Sequence, residues 1–242
     1  MNSPTLFISD LHLDEPRPRA TDCLLTFLAG RARSAAALWV LGDLFEAWIG
    51  DDDDAPWLTP VLDGFASLSN EVPLHVLHGN RDFLLGEAFC HRTGARLATE
   101  PVVLDLHGTR TLLMHGDALC TDDLAYQAFR NQVRRPEWQQ VFLGQSLSER
   151  RAFASQARAA SQRENANKDS YLMDVNAAAV ARAFGDSGAM RMVHGHTHRP
   201  AKHALEVYDQ PRERWVLGDW HDNGWVMTID AGGCRQEQLA FA

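Results

Sequence analysis

Ala37-Leu38-Trp39-Val40-Leu41-Gly42-Asp43-Leu44-Phe45-Glu46 is five apolar residues running into a glycine, a carboxylate and, three residues on, a second carboxylate. A run this short, ended by a turn signal, reads as a buried strand with its polar groups on the loop at the strand end. The construction recurs along the chain. Thr5 to Ser9 leads into Asp10-Leu11-His12, and Leu74 to Leu77 into His78-Gly79-Asn80-Arg81-Asp82. Thr111 to Met114 leads into His115-Gly116-Asp117, and Met190 to Val193 into His194-Gly195-His196-Thr197-His198. Helical spacing fills the first two intervals, with Leu24, Leu25, Phe27 and Leu28 in Ala20 to Arg33, and Trp57, Val61, Leu62 and Phe65 in Pro56 to Leu68. Strand, polar turn and helix in repetition predict an α/β layered fold with its chemistry on strand-end loops. From His203 onward, short apolar runs alternate with Gly and Asp turns, which predicts a β meander. The acidic run Asp51 to Asp54 reads as a solvated loop.

The segment from Asp117 to Ala189 has a different character. It has almost no β signal, is rich in Ala, Gln, Arg and Ser, and shows helical spacing at Tyr126, Phe129 and Val133. Between Arg130 and Lys168, eight basic residues face three acids (Glu137, Glu149 and Glu164), a local excess of five positive charges in a chain whose net charge is −9. The predicted organisation is therefore a core of residues 1–116 and 190–242, interrupted by a helical insertion, 117–189, that forms a lid over the active-site face.

Composition narrows the function. With 242 residues, 45% hydrophobic and 23% charged, the chain can bury a sizeable core. Its 32 acidic residues against 23 basic ones argue against general nucleic-acid binding, which needs a basic face. No apolar run approaches the ~18 residues of a membrane span, and Met1 to Pro4 lacks the basic and apolar regions of a signal peptide. The four cysteines, Cys23, Cys90, Cys120 and Cys234, are scattered, which predicts reduced intracellular thiols and no zinc knuckle.

Asp10 and His12, at i and i+2, point to one side of an extended segment and can aim at one ion. Taken singly, they also fit a capping Asp and a surface His, and Asn80 after Gly79 also fits a turn. Three histidines in five residues, with His196 and His198 again at i and i+2, are hard to explain as packing. Together the groups after the strands form a set of Asp, Asn and His donors. That mixture suits a borderline-hard divalent ion such as Mn²⁺ or Fe²⁺ and excludes an all-thiolate zinc site. Seven groups are too many for one ion that must also admit substrate. Two ions sharing a carboxylate, about 3.5–4 Å apart, can activate water and clamp a phosphoryl group.

The ordered set Asp10-x-His12, Gly42-Asp43-x-x-Glu46, Gly79-Asn80-Arg81-Asp82, His115-Gly116-Asp117 and Gly195-His196-x-His198 resembles the calcineurin-like metallophosphoesterases over nearly the whole chain. The resemblance implies a four-layer α/β/β/α sandwich. It puts Asp10, His12, Asp43 and His198 on one metal, and Asp43, Asn80, His115 and His196 on the other, with Asp43 as the bridge. Gly42 to Asp51, Gly79 to Gly86, Leu119 to Asp123 and His194 to Pro200 look like one subfamily, the UDP-2,3-diacylglucosamine pyrophosphatases of bacterial lipid A synthesis. That likeness implies a Mn²⁺ enzyme, with two ions per chain, releasing UMP and 2,3-diacylglucosamine 1-phosphate. The expected catalytic set is Asp43, Asn80, Arg81 and His115. The expected substrate contacts are Asn80, Arg81, Asp123, Ser161, Asn165, Lys168 and His196. It further implies a peripheral protein on the cytoplasmic face of the inner membrane, with no obligate protein partner and no nucleic acid.

The residues agree with such a substrate. The basic segment supplies cations for phosphates or an anionic membrane surface. Trp138, Val141, Phe142, Leu143, Leu147 and Phe153 read equally as apolar surface for acyl chains and as helix packing. Many members of the wider family carry His after the Gly-Asn, where this chain has Arg81. Arginine stays protonated at neutral pH, so it stabilises charge but is a poor proton donor. A leaving phosphate monoester needs no proton, which favours a pyrophosphate over an ester. The alternatives are a phosphodiesterase or phosphatase acting on another nucleotide, and a scaffold without catalysis.

Overall fold

Three strands of four residues, β1 (Thr5–Ile8), β2 (Ala37–Val40) and β3 (Leu74–Leu77), lie side by side in parallel. The computed structural model describes residues 3–165 and 174–241. The strands are joined through α1 (Pro18–Ala29) and α2 (Leu58–Ser69), as parallel neighbours require. Alternation sorts their side chains. Leu6, Ile8, Leu38 and Val40 pack against Leu24, Phe27 and Leu28 of α1 and Val61, Phe65 and Leu68 of α2, while Phe7 and Trp39 face the opposite side. Each such fully buried side chain contributes ~1.5–3 kcal/mol. After β3 come α3 (Glu87–Thr93) and the parallel strand β4 (Arg96–Ala98), which the sequence pattern did not single out.

β5 (Val102–Leu106) and β6 (Thr109–Leu113) form a hairpin that opens a second sheet. The chain then leaves the core through α4 (Leu124–Val133), α5 (Pro136–Leu143) and α6 (Leu147–Asn165). It returns with α7 (Ala177–Ser187) and β7 (Arg191–His194). A hairpin, β8 (Ala201–Val207) and β9 (Gln210–Val216), completes the second sheet, and another, β10 (Asn223–Asp230) and β11 (Gly233–Ala240), crosses to the first. The orders are β11-β10-β1-β2-β3-β4 and β5-β6-β7-β9-β8. Phe7, Trp39, Leu41 and Leu77 meet Leu113, Val193, Trp215 and Leu217 between the sheets. Helices cover both outer faces, so the expected four-layer α/β/β/α sandwich is the fold.

Three expectations need correction. The tail is not one meander: its two hairpins belong to different sheets, because β10 pairs with β1 while β9 pairs with β7. The segment 117–189 is not all lid. Ala179, Val180 and Phe184 of α7 pack on Leu112, Met114 and Met192, so α7 is the outer layer of the second sheet. Nor is the loop Asp51 to Asp54 solvated throughout, since only Asp52 and Asp54 are exposed. Asp51 accepts hydrogen bonds from Trp48 Nε1 (3.0 Å), Gly86 N (3.0 Å) and Phe89 N (2.9 Å). Asp52 pairs with Arg150, and Asp53 and Asp54 with Arg151.

Among the described residues, no helix is long and apolar enough to cross a membrane.

Candidate active site

The strand ends meet at one edge of the sandwich. Beyond β1 and β2 the two loops stay paired: Asp10 N donates to Gly42 O (3.1 Å), His12 N to Asp43 O (3.0 Å), and Glu46 N to Leu13 O (3.0 Å). Asp10, His12, Asp43, His196 and His198 all have left-handed backbone, with φ of 55°, 47°, 52°, 67° and 53°. Each such residue costs roughly 1–3 kcal/mol and persists only where its surroundings over-determine it. Glycine would relieve the strain, but it carries no donor atom. At Gly195 the opposite demand applies, since a Cβ there would lie 2.1 Å from Asp10 Oδ2. Asp82, fully buried, clamps the loops from below by accepting from Gly79 N (2.7 Å) and Leu44 N (2.7 Å).

The seven expected donors converge. The Nε2 atoms of His12 and His198 face each other at 3.1 Å. Asp10 Oδ1 is 3.4 Å from His198 Nε2 and 4.0 Å from His12 Nε2. Asp43 divides its carboxylate, with Oδ2 3.7 Å from His12 Nε2 and Oδ1 3.7 Å from His115 Nε2. Asn80 Oδ1 lies 3.0 Å from His115 Nε2 and 2.8 Å from His196 Nδ1. Two groups of donor atoms within 4.8 Å of one another result, Asp10–His12–His198 and Asp10–Asp43–His115. Carboxylate oxygens, an amide oxygen and imidazole nitrogens aimed at common points form a donor set that fits divalent cations of intermediate hardness. The outer atoms are also anchored, His115 Nδ1 by Leu41 O (2.9 Å), while His198 Nδ1 lies 3.5 Å from Asp219 Oδ2.

The charges show how far the site calls for cations. Burial opposes ionisation of Asp10, yet the hydrogen bond and charge of His198, with His115 and His12 behind it, hold its carboxyl well below the usual range. Burial also opposes a charge on His115, but Asp43, Asp10, Asp117 and Glu100 together push it up to about 9. His196 moves the other way, down to about 4, through burial and the neighbouring His115. The third histidine of the cluster, His194, belongs to the scaffold. Its Nδ1 donates to Gly195 O (2.8 Å) and its Nε2 accepts from Arg214 Nη1 (3.0 Å), so no lone pair is left for the site.

A cavity of about 530 Å³ opens on the cluster. His12, Asp43, Asn80 and Arg81 line one part, while Trp138, Phe142 and Phe153 of the insertion supply apolar wall. Those three rings pack together, Trp138 stacked on Phe142 at 4.9 Å between centroids and Phe153 edge-on to Phe142 at 5.2 Å. Asp123 and Ser161, expected at the substrate, also line the cavity. Asp123 caps α4 by accepting from Tyr126 N (3.1 Å). Asn165 closes α6, but its side chain, like the whole of Lys168, lies outside the described residues.

Sequence reasoning gave no role to a group around Asp117. Its Oδ2 accepts from Tyr126 Oη (2.6 Å) and Arg130 Nε (2.7 Å), and Arg130 Nη2 also donates to Glu100 Oε1 (2.9 Å). Glu100 Oε2 in turn accepts from His115 N (2.8 Å), and Arg134 Nη2 donates to Gly79 O (2.9 Å). The sequence signal was the Asp of His115-Gly116-Asp117. Its arginine partners, 13 and 17 residues on, were visible only as part of a basic excess.

Comparison with known proteins agrees with this geometry. The calcineurin-like phosphoesterase model matches residues 3–200. A protein of Cellvibrio japonicus named UDP-2,3-diacylglucosamine hydrolase is 49% identical over 95% of this chain and 96% of its own. The protein of that name from Xanthomonas axonopodis pv. citri is 49% identical over 98% and 99%. Among solved structures, an archaeal phosphodiesterase shares the fold with a TM-score of 0.50 at 12% identity, over 98% of this chain and 99% of its own. With five ordered motifs gathered at one sheet edge and a family match across most of its length, the chain belongs to the calcineurin-like phosphoesterases and is a hydrolase.

Proposed function

We propose that this hydrolase cleaves the pyrophosphate bond of UDP-2,3-diacylglucosamine to UMP and 2,3-diacylglucosamine 1-phosphate, a step of lipid A biosynthesis. The observation that carries this reading is the single cavity joining a polar, metal-competent part to an aromatic wall. A diacylated nucleotide sugar has the same division into an anionic and an apolar part. The names of the relatives at 49% identity support the same substrate.

Asp10, His12, Asp43, Asn80, His115, His196 and His198 would hold two Mn²⁺ ions, with Asp43 between them, consistent with its two oxygens facing different histidines. Such ions supply Lewis-acid charge and lower the pKa of a bound water toward neutrality. Arg81, on the cavity wall, stabilises negative charge on the reacting phosphate and donates no proton. Asn80, His115 and Asp43 hold the reacting end in place. Asp123, Ser161, Asn165, Lys168 and His196 would complete the contacts with substrate.

We further propose peripheral association with the cytoplasmic face of the inner membrane. The support is apolar rather than cationic. Leu124 and Val141 on the insertion are 77% and 70% exposed, whereas Arg130, Arg150, Arg151 and Arg158 are paired with acids of this chain.

Turnover of UDP-2,3-diacylglucosamine by purified protein with Mn²⁺ in ¹⁸O-water tests the assignment. UMP and the diacyl sugar phosphate should form in equal amounts, with the label in one of them. Inertness toward this substrate alongside rapid cleavage of another nucleotide would overturn it.

A further inference from the structure

Glu46 ends the Gly42-Asp43-x-x-Glu46 stretch and is not among the seven donors, yet its carboxylate touches three parts of the site. Oε2 lies 3.1 Å from Nδ1 of His12, at ion-pair distance though off the hydrogen-bond direction, and the ring's Nε2 faces Asp43 and His198. Oε1 lies 2.9 Å from Nε of Arg158, on α6, and 3.9 Å from Nη1 of Arg81. Arg158 also reaches the β1 loop, donating from Nη1 to Asp14 Oδ2 at 3.1 Å.

A carboxylate behind a metal-ligating histidine sets the ring's orientation and tautomer. Here that same carboxylate is a seat for the insertion. With α6 in place, Arg158 occupies Oε1 and Arg81 stands farther off, turned to the cavity. With α6 lifted, Arg81 is the cation left within reach of Oε1, and a closer pair would draw it from the substrate.

We propose that Glu46 is a positioning residue that couples the seating of α6, through Arg158, to the orientation of His12 and the availability of Arg81. The proposal rests on the reading of the cluster as a divalent-metal site with Arg81 facing substrate. Coupling between sites is reciprocal: if seated α6 tightens metal binding, metal must steady α6.

The test is Mn²⁺ titration by calorimetry of chelator-treated wild type, Glu46→Gln, Arg158→Ala and the double variant. Amide hydrogen exchange of α6 is followed with and without Mn²⁺. Glu46→Gln should weaken Mn²⁺ binding roughly 10–100-fold. Arg158→Ala should weaken it several-fold, and the double variant should be no weaker than Glu46→Gln. Mn²⁺ should slow exchange in α6 of the wild type but not of Glu46→Gln. Should Glu46→Gln melt early without metal, Glu46→Asp supplies the same comparison. Additive losses, or α6 exchange indifferent to Mn²⁺ in a wild type that binds it, would overturn the coupling. Failure of the wild type to bind Mn²⁺ would overturn the metal reading and the coupling together. A wild type that binds Mn²⁺ with the expected coupling but leaves UDP-2,3-diacylglucosamine intact would uphold the coupling and sink only the substrate assignment.

Discussion

The loop carrying Asp43 and the helix carrying Arg158 sit on the same cavity but are held by different forces. The Asp43 loop continues a parallel strand pairing, is clamped from below by Asp82, and rests on the apolar layer of α1 and α2. α6 buries no apolar side chain among its described residues; its buried residue is Arg150, 2% exposed. That arginine donates to Ile49 O and Asp52, while Arg151 and Arg158 reach Asp53, Asp54, Asp14 and Glu46. Backbone pairing and packing give a site that keeps five ligand-bearing residues in a costly conformation. Ion pairs and a few rings hold the cover. The metal-competent donors sit on the first kind of support, and the apolar wall of the cavity on the second.

The largest effect should follow from breaking the rigid side of this contrast at its centre. Asp43→Ala removes the carboxylate that faces both His12 and His115. Bound metal should fall to roughly one ion per chain or fewer, and turnover by more than about 10³-fold, beyond the cost of a single charge-stabilising donor. Elemental analysis and rate measurement check this, with circular dichroism to show that the fold survives. Two tightly held ions with substantial turnover would contradict the two-metal arrangement.

Next comes Arg81, which borders both regions. Arg81→Ala should lose roughly 10²–10³ in kcat, as for removal of one oxyanion-stabilising donor. Arg81→Lys should keep part of the rate, because a cation remains although the planar fork is lost. Arg81→His should restore little on the pyrophosphate, whose leaving group needs no acid. An Arg81→His enzyme faster than wild type would show that a proton is required there after all.

On the lid side, Arg150→Ala removes charge-assisted bonds of a buried guanidinium, which are worth about 1–3 kcal/mol before discounting for the exposed Asp52. Opening of α6 should rise several-fold to tenfold, read by limited proteolysis. Arg151→Ala, at an exposed and solvent-screened pair, should change it far less. Equal effects at the two positions would erase the distinction between a buried anchor and a surface pair.

The last effect, on stability alone, concerns the scaffold histidine. Burial and the adjacent Arg214 pull His194 down to about 3, so folded His194 stays neutral at a pH where its unfolded counterpart takes up a proton. The unfolded state therefore binds more protons between about pH 3 and 6.5, and stability should fall as pH falls through that window. Denaturant titration of metal-free protein at pH 6.5 and 4.5 should show a smaller drop for His194→Gln than for wild type. An equal drop would mean that other groups set the slope.

The contrast also explains what the sequence disclosed. Asp10, His12, Asp43, Asn80, His115, His196 and His198 were legible because each directly follows a short apolar run. A strand end fixes where the next few residues go, so local order in the chain becomes proximity in space. The runs by themselves disclosed a layered α/β fold, with alternation in Thr5–Ile8 and Ala37–Val40 allotting each side chain to a face, while the four-layer order came from the family resemblance. The roles of Glu46, Arg158 and Arg130 were not legible, because their partners lie far away in sequence and no local pattern records which acid a given arginine will meet. Asp51 to Asp54 was read only in part for that reason: Asp52 and Asp54 are exposed as expected, but the bonds of Asp51 and the arginines that dock on the run come from elsewhere in the chain. His194 shares the motif of its neighbours; the resemblance left it out of the ligand set, and the bond from Arg214 of β9 gives the physical reason.

The central claim is that the strand-end cluster performs hydrolysis while the insertion recognises the acyl chains. Its most direct test is kcat/KM for UDP-2,3-diacylglucosamine and for UDP-glucosamine without acyl chains, in wild type and in Trp138→Ala/Phe153→Ala, with Mn²⁺ saturating. The wild type should prefer the acylated substrate strongly. The double variant should lose most of that preference through the acylated substrate alone, while the rate on the unacylated one stays within about twofold, since neither ring touches the cluster. The same preference in both proteins, or equal losses on both substrates, would contradict the division of labour between core and lid.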